Sequence, residues 1–144
     1  MLDEDFLAQF EACSLPFEQW THRSHVRVAY LYLRKYSLGE ALARIRAAIR
    51  AYNHANRVPE GPTSGYNETT THAFLVLVAA TMEAYGEAIP TADADSFCDA
   101  HSQLMTRHVL RLFYSPAARM NPLAKTQFIE PDLAPLPKCR GEIS

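Results

Sequence analysis

The chain has 144 residues, 48% of them apolar, with 14 basic against 16 acidic side chains, enough for one domain with its own hydrophobic core. The near-neutral balance offers no basic field for nucleic acid. The longest apolar run, Ala73 to Ala80, is too short to cross a bilayer, and the acidic opening Met1-Leu2-Asp3-Glu4-Asp5 lacks the form of a signal peptide.

Cys13, Cys98 and Cys139 are odd in number and widely spaced, which suits free thiols in a reducing, cytoplasmic setting. The pattern along the chain predicts an all-α protein. Asp3 is positioned to cap a first helix to about Cys13, with Phe6, Leu7 and Phe10 on one face, and Pro16 follows. Thr21 is the expected N-cap of a second helix through about Tyr36, whose stripe His22, His25, Ala29, Tyr32 places two imidazoles beside core residues. Ser37-Leu38-Gly39-Glu40 has the form of a capping box opening a third helix, with Leu42, Ile45, Ile49 and Tyr52 as its apolar stripe. His54, late in that helix, is expected to face solvent.

Residues 57 to 66 hold Pro59, Gly61, Pro62, Ser64 and Gly65 and read as a loop. A fourth helix from about Asn67 to Tyr85, apolar on all sides around Phe74-Leu75-Val76-Leu77-Val78, is the expected central buried element. A fifth, capped by Asp93 or Asp95, is predicted to align Phe97, His101, Leu104, His108 and Leu112. Ser115-Pro116 opens a short C-terminal helix. From about 128 to 144 the prolines predict an extended tail, with Leu133 and Leu136 to pin it. The expectation is thus one compact domain of five main helices, a short sixth helix and a proline-rich tail.

Candidate chemistry begins with His22 and His25. Residues three apart on a helix have neighbouring side chains, and so do Glu68 and His72 at four apart. If the second and fourth helices pack together, His22, His25 and Glu68, with His72 as a fourth, form a ligand set for a divalent metal such as zinc, iron or copper. Three protein ligands would leave a coordination position for water or substrate. In that reading Glu68 is also catalytic, and Tyr66 and Arg27 orient a small-molecule substrate. The same residues are open to other readings. Histidines at a helix start commonly serve backbone groups or an aromatic neighbour, here Trp20, and Glu68 in a first turn complements the helix dipole. A metal-free pocket for a small organic ligand, or a metal-free enzyme using Glu68 and a histidine as base and acid, would use the same side chains.

Other chemistries fare worse. No GxSxG elbow or glycine-rich phosphate loop is present. Cys98 lies among Asp95 and Asp99, which disfavour a thiolate nucleophile. His101 and His108 are about 10.5 Å apart along a helix and cannot share an ion as neighbours. Pairing into a homodimer through one helix face is compatible with the apolar content, though no seam stands out.

The blocks Thr21-His22-x-x-His25-Val26-Arg27-x-Ala29-x-x-Tyr32-Leu33, Tyr66-Asn67-Glu68-Thr69-x-Thr71 and Phe128-x-x-Pro131-Asp132-Leu133 resemble those of a family of short, largely uncharacterised bacterial helical proteins. The family motifs are H-x-x-H-V-R and Y-H-E-T, and no established reaction comes with the resemblance. It implies site roles for His22, His25 and Glu68. The chain departs from the pattern at Asn67, where relatives carry histidine, and at Lys125, where they carry arginine.

Overall fold

The computed structural model describes residues 1–139, so residues 140–144 of the expected tail lie outside the described residues. The architecture is all-helical: α1 (Asp3–Glu11), α2 (His22–Leu33), α3 (Leu38–Ala55), α4 (Glu68–Tyr85), α5 (Ala94–Ala100), α6 (Pro116–Arg119) and α7 (Leu123–Thr126), with short 3-10 turns between several of them. No helix among the described residues is long and apolar enough to cross a membrane.

Helix α4 is the centre, as its all-round apolar sequence predicts. Ala73, Leu75, Val76, Leu77 and Val78 are all buried, and α2, α3 and α7 pack on it. Side chains at successive positions point about 100° apart, so four consecutive buried residues require neighbours on every side. Helix α3 presents Leu42, Ile45, Ile49 and Tyr52 to the core as its stripe predicts. The hydroxyl of fully buried Tyr52 donates to the Leu15 carbonyl at 2.7 Å, tying the chain after α1 to the end of α3.

Three local expectations change. Leu2, not Asp3, occupies the N-cap of α1. The Asp3 carboxylate instead pairs with Arg27 and accepts the Ala94 amide at 3.0 Å, so it joins α1, α2 and α5. Ser37 accepts the Glu40 amide, but the Glu40 carboxylate turns to Arg44 at 2.9 Å, leaving the capping box half made. The long fifth helix ends at Ala100: His101 adopts φ −125° and ψ 64°, and the chain continues as two 3-10 turns, Ser102–Leu104 and Arg107–Leu112. His101 is buried against Tyr85 and Phe97, and Thr106 starts the second turn by accepting the His108 amide. These local caps compete with continued helix.

The tail is held more by polar bonds than by its leucines. Leu136 packs on the core, but Leu133 is 58% exposed. Thr69 Oγ1 donates to the Gln127 carbonyl and accepts from the Ile129 amide, Tyr114 donates to the Ile129 carbonyl, and Asp132 accepts from both the amide and the hydroxyl of Ser115.

Candidate functional site

Thr21 fixes the start of α2 and with it both imidazoles. Its Oγ1 accepts the Ser24 amide and Ser24 Oγ accepts the Thr21 amide, each at 3.3 Å, a reciprocal cap made with serine in place of the usual glutamate. His22 and His25 then stand on the first turn of the helix and line a cavity of about 610 Å³ between α2, α3 and α4. Ile45 and Ile49 of α3, Phe74 and Val78 of α4, and Trp20 give it apolar walls; Thr70, Thr71 and Arg107 supply polar ones. Its size and lining suit a small organic molecule.

Each imidazole is oriented by one backbone carbonyl. Nδ1 of His25 is 2.8 Å from the Thr21 carbonyl oxygen, and Nε2 of His22 is 2.8 Å from that of Leu104. A carbonyl only accepts, so the ring nitrogen facing it carries the hydrogen. In the neutral ring the other nitrogen, Nε2 of His25 and Nδ1 of His22, is then left with its lone pair. Among the described residues no buried side-chain nitrogen or oxygen lacks a partner, so the unbonded His22 nitrogen is reached by solvent.

Aromatic contacts set the ring planes. His25 lies on Trp20 with ring centroids 4.0 Å apart, Trp20 stacks on Phe10 at 4.6 Å, and His22 meets the edge of Phe74 at 4.9 Å.

Both rings are held neutral. The surrounding protein strips solvation from His25 and brings its pKa down to about 4, helped by His22 and Arg107 and opposed by the bond to Thr21. By accessible surface His25 is nonetheless exposed: the side chain lines an open concavity, accessible to a small molecule yet surrounded by protein at longer range. Burial lowers the His22 pKa as well, outweighing the bond to Leu104, and Arg107 adds to the effect.

Glu68 and His72 do not join this cavity. Glu68 is buried, and Arg46 holds it with both carboxylate oxygens, Nε to Oε1 and Nη2 to Oε2, each at 2.8 Å. The Tyr66 hydroxyl adds a third bond to Oε1 at 2.8 Å. Burial alone would raise the Glu68 pKa, but the bonds from Arg46 and Tyr66 prevail and hold it below the ordinary carboxylate value. Tyr66, itself buried, is pushed up to about 12 by burial and by its bond to Glu68. His72 lies on the Phe128 ring at 3.9 Å. One residue step on a helix is about 100°, which turns His72 away from the cavity-facing Thr71. Among the described residues, no group of three or more His, Cys, Asp or Glu side chains is gathered to hold a metal ion. The expected set is therefore split into His22 with His25, and Glu68 near His72.

Arg27 also has other work. It binds Asp3 and the Met1 carbonyl and covers the Phe6 ring at 4.2 Å. Two residues from His25 is about 200° round the helix, which points it away from the cavity. Asn67 and Lys125 have structural duties. Asn67 Oδ1 accepts the Thr70 amide at 2.9 Å as the cap of α4. Lys125 Nζ donates to Glu60, to the Ser64 carbonyl and to the Tyr66 carbonyl, fastening the loop before α4 to α7.

Basic residues outside the spaced pairs complete the surroundings. Arg107 reaches the histidine cavity, and with Arg111, Arg119 and His108 it lines a second cavity of about 400 Å³. One signal was legible: no acidic residue occurs between Asp99 and Glu130. Comparison of the chain with family models, curated proteins and solved structures gives no match.

Proposed function

We propose that the chain binds a small organic molecule in the cavity between α2, α3 and α4, and that His25 serves there as hydrogen-bond acceptor and proton acceptor. One observation carries this reading: two imidazoles, each oriented by a backbone carbonyl that leaves its other ring nitrogen as an acceptor, border a 610 Å³ cavity with apolar walls. A ligand with an apolar body against Ile45, Ile49 and Phe74 and a hydroxyl or amine toward Nε2 of His25 satisfies both parts of the lining. If the ligand is transformed, the step is proton removal by His25, with His22 as a second acceptor. A base with a pKa of about 4 is weak in water, so turnover needs a proton made acidic by the substrate itself or by the nearby Arg107 charge.

Metal binding is the second reading. It is favoured by two lone-pair nitrogens three residues apart on a helix; the remaining ligands would come from substrate or solvent. Such an ion would act as a Lewis acid on the bound molecule.

Trp20 is the one tryptophan in the sequence and lines the cavity, so its emission reports occupancy. Screening small aromatic alcohols, amines and phenols should give saturable changes in Trp20 emission that weaken in His25→Leu. Ligands that leave Trp20 unmoved, or that bind His25→Leu equally well, would overturn the proposal. Repeating the titrations with added zinc, iron(II) or copper separates the two readings: metal-dependent saturation favours the second.

A further inference from the structure

The second cavity adjoins the first, since Thr70 and Arg107 stand in the walls of both. Arg107, Arg111 and Arg119 line it together with the first turn of α4, which Asn67 caps. Among the described residues, none of these three guanidinium groups makes an ion pair or a side-chain hydrogen bond, whereas Arg23, Arg27, Arg44 and Arg46 each hold a carboxylate. The acids whose charge reaches the pocket's Tyr114 are Glu130 and Asp132, and Asp132 is committed to the amide and hydroxyl of Ser115.

Three like charges around one concavity repel one another, and that arrangement is relieved when an anion sits among them. Guanidinium forks match the oxygens of phosphate in particular, through paired charge-assisted hydrogen bonds. A lone carboxylate has two oxygens and one charge, too few to engage three arginines. Phosphate has three free oxygens even as a monoester and close to two charges at neutral pH.

We infer that the arginine cavity binds the phosphate of a small phosphate monoester whose apolar body extends past Thr70 and Arg107 into the histidine cavity. The inference deepens the proposed function and rests on it for the body of the ligand, but the phosphate site stands on the arginines alone. A polynucleotide is the poorer occupant, because the basic groups surround a pocket of 400 Å³ and the whole chain carries a formal charge of −2.

The test is calorimetric titration of the full chain with inorganic phosphate, phenyl phosphate and a single-stranded oligonucleotide, repeated on the double variant Arg111→Gln with Arg119→Gln. Both arginines are exposed, so the variant should keep its fold, which circular dichroism checks. The expected result is that phenyl phosphate binds more tightly than phosphate and that the variant weakens both by about tenfold or more, as loss of charge-assisted hydrogen bonds predicts. Absence of phosphate and phenyl phosphate binding, undiminished binding by the variant, or oligonucleotide binding in place of phenyl phosphate would overturn the site. Phosphate binding that depends on the arginines, with phenyl phosphate no tighter, would overturn the joined ligand while upholding the phosphate site; the histidine-cavity reading falls only if Trp20 emission and His25→Leu show no ligand there.

Discussion

Replacing Glu68 by alanine separates a structural role from a role in ligand binding. The carboxylate accepts two bonds from Arg46 and one from Tyr66, all at 2.8 Å. Breaking a fully buried ion pair costs about 3–5 kcal/mol because a charge is stranded. Here the Arg46 side chain is 35% exposed against 8% for Glu68, so the guanidinium can turn to water, and about 2–3 kcal/mol is the better expectation after that discount. The buried Tyr66 hydroxyl loses its acceptor, adding about 1 kcal/mol. The sum of about 3–4 kcal/mol corresponds to a melting point lower by about 10 °C for a chain of this length. Glu68→Gln, which keeps an acceptor for Tyr66, should lose about half as much. Chemical denaturation of Glu68→Ala, Arg46→Met and the double variant should give a coupling energy of about 2 kcal/mol, with Trp20 emission unchanged in the folded state. A Glu68→Ala protein that melts like the parent but loses a bound metal or ligand would refute this assignment and return Glu68 to the site.

Acid should destabilise the protein beginning well above the carboxylate range. The folded pKa of His25 is about 4 against an ordinary 6.5, and burial lowers His22, His72 and His101 as well. Between about pH 6.5 and 4 the unfolded chain therefore binds more protons than the folded one, so stability is full above 6.5 and falls as pH drops through this window. His25 alone should contribute about 1–2 kcal/mol of that fall, after discounting for the water that reaches its ring; Glu68 adds a further loss below its ordinary value of 4.5. Urea titrations at pH 7.5 and 5 that give equal stability would contradict this. Tyr52→Phe leaves the buried Leu15 carbonyl without its donor and should cost about 1–3 kcal/mol, read as a lower denaturation midpoint at unchanged slope; an unchanged midpoint would mean the bond in the core contributes nothing.

The fold was legible where local chemistry and periodicity agree. Thr21, Ser37, Asn67, Asp93 and Ser115 each accept a backbone amide at a helix start, and the all-apolar run in α4 identified the central element. The break after Ala100 was hidden, because an apolar repeat from Phe97 to Leu112 looks the same whether one helix or two 3-10 turns carry it. Spacing put His22 beside His25, and both line one cavity because they lie on one turn of one helix. Spacing could not show which stripe of α4 would face them. Thr71 and Phe74 do so, while Glu68 and His72 meet Arg46 and Phe128, contacts that depend on how three helices pack. The arginine cavity was harder still: it joins residues from the 3-10 turn, α6 and the first turn of α4, and only the acid-free stretch from 100 to 129 marks it in the sequence.

The most direct measurement is the protonation state of the two cavity imidazoles, read from nitrogen-15 chemical shifts of labelled histidine as pH is varied. At pH 7, His25 should be neutral with hydrogen on Nδ1 and His22 neutral with hydrogen on Nε2, and His25 should titrate near 4. A His25 that titrates near 6.5, or that exchanges between both neutral forms, would contradict an acceptor fixed toward the cavity and remove the basis for the proposed function.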